Sequence, residues 1–362
     1  MNEHYYALIL AGGGGTRLWP MSRKDTPKQF SPLIEDETLF QTSIRRLSPL
    51  FTPDRIYVVT GRGYVDELRS QTPEVPAENF IVEPSARDSA PAAGLAISVI
   101  QKRDPDAIIA MLTSDHHIAQ KEKFRDVLSA AGQVASDGYI VTLGISPSSP
   151  ATGFGYIEQG ALLGEYLGFS YHNAVRFTEK PDLVRATQFV ASGKYSWNSG
   201  MFIWKASTAM HEFERQQPNM FAVLQDIQSA VDTPQFAIKL EQVWNDLSKI
   251  SIDFAIMEDA ERMAVIPVDI GWSDVGAWDA LFEVVPQDRF GNCTRGASPR
   301  EHVVLDTRNT LVFSDRLTVA IGVQDIVLID TEDAILICNR DRAQDVKAVV
   351  QFLKENGYDE YL

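Results

Sequence analysis

A chain of 362 residues that is 44% hydrophobic can bury one large core and a second, smaller one. A net charge of −16 with a pI near 4.8 sets long-range repulsion against polyanions, which argues against nucleic acid and acidic membrane surfaces as partners. Two cysteines, Cys293 and Cys338, are too few for a disulfide framework and lack metal-binding spacing, and no apolar run approaches the ~18 residues of a spanning helix, so a reduced cytoplasmic protein without a targeting segment is expected.

The first 145 residues alternate short apolar runs with amphipathic stretches. Strands are predicted at 5–10, 55–59, 80–82, 107–112 and 139–143, and helices at 39–47, 63–70, 91–102 and 123–135. This alternation predicts an α/β fold in which a parallel sheet is covered by helices on both faces. Ligands in such sheets bind beyond the carboxyl ends of the strands, where Gly12 and Asp115 fall. From 150 to about 285 the alternation loosens into longer loops, several helices and strands such as 200–204, read as an insertion that builds a second wall for the site. After 285 come five short apolar strands, at 303–305, 310–313, 318–321, 326–329 and 334–337, spaced by about eight residues as in a small β-coil. A terminal helix over 342–356 is stopped by Gly357. Two domains follow, 1–284 and 285–362, and the exposed strand edges of the second predict self-association as a homodimer or larger assembly.

The most informative segment closes the first strand. The apolar run from Ala7 to Leu10 and Ala11 ends in four glycines, Gly12, Gly13, Gly14 and Gly15, followed by Thr16, Arg17 and, further on, Lys28. A backbone without Cβ atoms turns its N–H groups toward phosphate oxygens, while Arg17 adds a fork of donors and Lys28 a point charge. A P-loop is excluded because no Gly-Lys pair follows Gly12, and a dinucleotide fingerprint fails because Arg17 stands where its last small residue belongs. Residues 1–34 carry four cations against two acids, so this segment is locally positive in an acidic protein. Nearby charge outweighs distant charge that salt screens over ~8 Å.

Other polar residues close apolar runs or sit in glycine-framed loops. Asp115 ends the strand at 107–112 and is well placed to hold a divalent cation against phosphate oxygens, although a loop aspartate alone is commonly a cap or turn residue. Asp274 lies in a second loop framed by Gly271, Trp272 and Gly276, 159 residues later, so only the fold can unite the pair. Gly155 and Tyr156 form a glycine-spaced aromatic loop that by itself reads as a β-turn. Glu179 and Lys180 place an acceptor for a diol beside a cation for a phosphate, or a surface ion pair before a helix. Phe202 and Trp204 belong to the core, and His116 and His117 position the loop around them.

The string from Leu10 through Gly12–Gly15, Arg17, Trp19 and Arg23, with Pro27, Lys28, Gln29 and Phe30, resembles the sugar nucleotidyltransferases. Within them it is similar to the mannose-1-phosphate guanylyltransferases rather than the thymidylyl or uridylyl branches, and the likeness runs from residue 5 to the end. The resemblance implies a Rossmann-like (GT-A-like) mixed sheet and a quasi left-handed β-helix. It implies that Leu10, Ala11, the four glycines, Thr16, Glu83, Arg87, Asp88, Ser89 and Ser114 bind the nucleotide, and that Arg17 and Lys28 neutralise its phosphates as pyrophosphate leaves. Asp115 and Asp274 would hold magnesium; Gly155, Tyr156, Glu179, Lys180 and Asn198 would hold the sugar phosphate. Two departures stand out: Thr113 where proline is frequent, and Asp88-Ser89 where members usually have Asn-Thr, beside the nucleobase.

The expected reaction is attack by mannose 1-phosphate on the α-phosphorus of GTP, giving GDP-mannose and pyrophosphate, with Arg17, Lys28, Lys180 and Mg2+ neutralising charge. The alternatives are another hexose 1-phosphate or nucleoside triphosphate, or a catalytically silent subunit that senses GDP-mannose. Arg17, Lys28, Asp115 and Asp274 together favour the enzyme, and the length disfavours an added isomerase half.

Overall fold

The structure, a computed structural model, describes residues 3–13, 15–296 and 302–362. Its strands in chain order are β1 (Tyr5–Ala11), β2 (Ile56–Gly61), β3 (Phe80–Glu83), β4 (Ile108–Thr113), β5 (His117–Ile118), β6 (Ile140–Ile145), β7 (Tyr156–Tyr166), β8 (Phe169–Thr178) and β9 (Tyr195–Lys205). They continue with β10 (Met263–Pro267), β11 (Trp272–Ser273), β12 (Cys293–Arg295), β13 (His302–Leu305), β14 (Leu311–Phe313), β15 (Thr318–Ile321), β16 (Ile326–Asp330) and β17 (Ile335–Asn339). The chain divides into two units, each with its own core. One comprises Met1–Gly12, Ile44–Ser114 and Gln120–Ile270; the other comprises Gly13–Ser43, Asp115–Ala119 and Gly271–Leu362.

The first unit is a nine-stranded mixed sheet of order β3-β2-β1-β4-β9-β6-β10-β8-β7. Strands β1 to β4 run parallel, and β9 enters antiparallel to both β4 and β6. Because β7 also pairs with β9, the five strands from β9 to β7 close on themselves. Strands β1 and β4 are buried along nearly their whole length, as a sheet covered on both faces requires. Helix Ser89–Arg103 is buried continuously from Ala90 to Ile100, since it lies among the strands and the helices Ala206–Gln216 and Pro218–Ala230. Gly94 permits that approach: a Cβ there would stand 2.6 Å from Leu224 Cδ1. Phe202 and Trp204 are buried in this core.

Three strands exceed their sequence expectation. The strand expected at 200–204 extends over Tyr195–Lys205, and the β7/β8 hairpin stands where looser loops are predicted. Much of that hairpin is solvent-exposed, so no buried face imposes an alternating pattern on its residues.

In the second unit the C-terminal strands alternate between two sheets. β12, β14 and β16 pair in parallel, with β17 antiparallel at the end, while β13 pairs in parallel with β15. Register stacks Cys293 on Leu311 and Leu311 on Val327, so one turn of this β-helix-like coil takes two strands. Asp306, Asn309 and Asp325 occupy its corners with positive φ, and the Asn309 amide donates to Asp325 at 3.1 Å. The terminal segment begins as a 3-10 turn, Arg340–Asp345, before the helix Val346–Glu355. Gly357 has φ +77°, and Tyr358 N–H donates to Leu353 O, a Schellman stop.

This unit also contains the segment after the glycines and the loop around Asp274. Leu18, Trp19 and Leu33 share one apolar cluster with Val275, Trp278, Leu311 and Val327. Trp278 Nε1 donates to Trp19 O at 2.9 Å, and Trp19 Nε1 donates to Tyr361 O at 2.7 Å. The units therefore cut across the sequence rather than dividing it at one point.

Candidate active site

Lys28 is the organising residue of the second unit. It lies in the 3-10 turn Lys28–Phe30 with its side chain largely buried, and its ammonium is 3.0 Å from Asp115 Oδ2 and 2.7 Å from Asp274 O. The short antiparallel pair of β5 with β11, joining His117 to Ser273 and Ile118 to Trp272, sets the two aspartate loops side by side. Burial pushes the Asp115 carboxyl up, and the Lys28 ammonium with His116 beside it more than offsets this, so the net shift is downward. His116 is pinned by Trp272, whose Nε1 donates to His116 Nδ1 at 3.1 Å while the rings meet edge to face. An indole N–H only donates, which fixes Nδ1 as the acceptor.

The Asp274 loop is held under strain. Val275, β-branched and fully buried, has φ +46°, outside the region such residues favour. Ser273 Oγ accepts from Val275 N at 3.2 Å, and Asp274 Oδ1 accepts from Gly276 N at 3.1 Å. A Cβ on Gly276 would lie 2.6 Å from Asp274 Oδ2, so glycine here keeps the carboxylate in place. Gly13 and Gly15 have φ +99° and +55°; a Cβ on Gly15 would press on Lys28 at 3.0 Å. Thr16 and Arg17 open the following 3-10 turn, exposed, and Arg17 has no ion-pair partner among the described residues. Gly14 lies outside the described residues. A cation already bridges a carboxylate and a neighbouring loop carbonyl here, so these oxygens fit a hard divalent ion.

In the first unit, Leu10, Ala11 and Gly12 at the end of β1, Glu83 at the end of β3 and Ser114 after β4 lie at one edge, because these strands run parallel in register. Ser114 N donates to Leu10 O at 3.3 Å, while its buried hydroxyl has no partner among the described residues. The next three expected nucleotide residues are engaged with the fold. Arg87 donates to Leu247 O and Asn245 Oδ1, Asp88 caps the helix by accepting from Ser89 N at 2.8 Å, and Ser89 Oγ accepts from Ile252 N at 2.9 Å. The aspartate that stands where asparagine is usual serves as a cap at φ +69°.

The same unit gathers Gly155, Glu179 and Asn198. Pairing of β7 with both β8 and β9 sets Tyr156 between Thr178 and Trp197, which brings the three together, and Asn198 N donates to Gly155 O at 2.8 Å. A Cβ on Gly155 would come within 2.4 Å of Glu179 Oε2. That oxygen is buried without a partner among the described residues, whereas Glu179 Oε1 takes the Lys180 ammonium at 2.5 Å. Lys180 itself has φ +44°. Tyr156 does not present its side chain: the ring is fully buried, its hydroxyl donates to Ala151 O at 2.9 Å, and its backbone lies in the ladder between β8 and β9. Asp253, absent from the sequence reading, accepts from Asn198 Nδ2 at 3.0 Å. It follows the capping Ser251 in a short helix, where an acid reads as a favourable first-turn charge.

Residues 6–289 match the nucleotidyl transferase family, and residues 300–353 match the MannoseP isomerase/GMP-like beta-helix domain. A mannose-1-phosphate guanylyltransferase of Klebsiella pneumoniae is 38% identical over 358 residues, covering 98% of this chain and 75% of that protein. One from Escherichia coli K12 is 36% identical over 98% of this chain and 75% of its own length. A crystal structure from Thermus thermophilus, described as a mannose-1-phosphate geranyltransferase, superposes with a TM-score of 0.86 at 34% identity, covering 97% of this chain and 99% of that one.

Glu83 gives this edge a pH signature. Burial lifts its carboxyl from 4.5 to about 7. The ionised form is thus disfavoured by folding, with no penalty below pH 4.5 and the full one, roughly 3 kcal/mol, above pH 7. Glu83→Gln is expected to stabilise the protein by about 1–3 kcal/mol at pH 8 and by little at pH 4.5. Urea unfolding at both pH values checks this; an equal effect at the two rules out the buried charge as its cause.

Proposed function

The chain belongs to the mannose-1-phosphate guanylyltransferases, enzymes of GDP-mannose synthesis within the nucleotidyl transferase family, and from that premise we propose how its own residues divide the work. The single observation that carries the proposal is the convergence of Asp115 and Asp274 on the Lys28 ammonium. Nucleotidyltransferases generally use a divalent metal. Asp115 and Asp274 are the residues that would hold such an ion, Mg2+ by this reading, and it would supply charge neutralisation of the triphosphate and of the leaving pyrophosphate.

Lys28, which pairs with Asp115, and exposed Arg17, which follows the glycines Gly12, Gly13, Gly14 and Gly15 in sequence, supply the two cations that would neutralise the phosphates. Leu10, Ala11, Thr16, Glu83 and Ser114 line the nucleotide; Arg87, Asp88 and Ser89 act on it through the loop they stabilise. Glu179, with its unpartnered buried oxygen, accepts from a sugar hydroxyl. Asn198 donates to another, Gly155 leaves room for the sugar beside Glu179, the buried Tyr156 anchors that loop, and Lys180 moves from Glu179 to the sugar phosphate. The phosphate oxygen of mannose 1-phosphate attacks the α-phosphorus of GTP, and catalysis rests on alignment and charge neutralisation, with no covalent enzyme intermediate.

The division into a catalytic domain over 1–284 and an oligomerising β-coil with terminal helix over 285–362 accompanies this reading. Support for self-association comes from β13, β15 and β17, which expose Leu305, Val319, Ile321, Ile335 and Ile337. A cytoplasmic location and the absence of nucleic-acid or membrane partners rest on the charge of −16 and on small charged substrates; no helix among the described residues is long and apolar enough to cross a membrane.

Three measurements test the proposal. Pyrophosphate release across GTP, ATP, UTP and dTTP, with mannose 1-phosphate against glucose 1-phosphate, is expected to be fastest for GTP with mannose 1-phosphate; preference for UTP with glucose 1-phosphate discards the guanylyl assignment. Asp115→Asn and Asp274→Asn are each expected to lower turnover by ~100-fold or more, and near-normal rates reject the metal role. In sedimentation at micromolar concentration the protein is expected to be dimeric and Leu305→Asp/Ile321→Asp monomeric; an active monomeric wild type ends the self-association reading.

A further inference from the structure

The sugar-binding residues contain an amide whose orientation has to be decided before it can read a hydroxyl. Asn198 Oδ1 accepts from Gly200 N at 2.9 Å, and Asn198 Nδ2 donates one hydrogen to Asp253 Oδ1 at 3.0 Å. Both contacts demand the same rotamer, oxygen toward Gly200 and nitrogen toward Asp253. One N–H remains. Close by is Glu179 Oε2, the buried carboxylate oxygen without a partner among the described residues: a Cβ on Gly155 would stand 2.4 Å from that oxygen and 3.2 Å from Asn198 Cβ. A donor and an acceptor placed this way suit a pair of sugar hydroxyls.

Asp253 is itself fixed from behind. Ser251 Oγ caps its short helix, Ile252 N donates to Ser89 Oγ, and Ala90 N donates to Ile250 O, which ties the segment to the start of helix Ser89–Arg103. The hydroxyl of Ser89 thereby gains a role in holding Asp253 rather than in touching a base.

We propose that Asp253 is the positioning residue of the sugar subsite, fixing the Asn198 amide so that its nitrogen is presented to the hexose 1-phosphate beside the Glu179 carboxylate. The inference rests on the sugar subsite assigned above and adds a residue and a polarity to it. Asp253 makes no bond in the reaction; its effect passes through Asn198. The groups that face it are Glu179 and Lys180 from the end of β8 and Asn198 from β9, with Glu258 accepting from Glu179 N at 3.1 Å. Burial, with the Glu179 carboxylate adding to it, lifts the Asp253 carboxyl to about 6. Above that pH it is an ionised acceptor for Asn198, and below it the hold weakens.

The test compares Asp253→Ala with Asp253→Asn. The alanine variant is expected to raise KM for mannose 1-phosphate about tenfold or more, with kcat and the KM for GTP within about twofold of wild type. The asparagine variant keeps an acceptor oxygen and is expected to restore most of the affinity. Its KM is also expected to lose the part of the rise below pH 6 that the wild type shows beyond the titration of the substrate phosphate, which both proteins share. A KM for the sugar phosphate unchanged in Asp253→Ala overturns the proposal. So do equal losses toward both substrates, which mark a general folding role, and an asparagine variant as impaired as alanine. Wild-type turnover in the same assay reports separately on the transferase reading, so the two fail by different results.

Discussion

One buried ammonium organises the second unit. Lys28 brings together an aspartate from the end of one apolar strand and a loop carbonyl 159 residues further along, and it does so in a place where carboxylates alone would repel. The surrounding structure exists to hold that meeting. β5 and β11 pair over only two residues each, too short to be stable alone, and their hold comes from Trp272 on His116 and from the buried Val275 beside them. Strain at Val275 is held in place by the apolar cluster that buries its side chain.

That cluster explains the β-coil as well. A coil of three- to five-residue strands buries little by itself, yet here its inner residues Leu311, Val327 and Ile329 pack with Trp19 and Trp278, which carry the glycine-loop and Asp274 segments. Two indole N–H bonds fasten Trp278 to Trp19 and Trp19 to the chain's last residues. The C-terminal coil is therefore part of what shapes the loops that carry Trp19 and Asp274, and substitutions in its core act on them through packing.

Much was legible from the chain alone. Strands β13 to β17 fall within a residue or two of their expected positions, because short apolar runs between polar turns leave few other registers. The glycine run, Asp115 and Asp274 stood out by their placement at strand ends and in glycine-framed loops. The β7/β8 hairpin did not, since exposed faces carry no periodicity. Nor did Asp253, because an acid after a capping serine is an ordinary helix start.

The sequence by itself determined which chemical groups are present, their order, and the alternation that builds a parallel sheet with its loops at one edge. Hydrophobic period and glycine placement are local properties, readable residue by residue. Only the tertiary structure decided which groups are free to act. Arg87, Asp88, Ser89 and the Tyr156 hydroxyl are engaged with backbone or neighbouring side chains, while Glu179 Oε2 and the Ser114 hydroxyl are left without partners among the described residues. The reason is physical: a polar atom's availability depends on what the fold packs against it, and for Arg87 and Ser89 those neighbours come from segments 160 and 163 residues away.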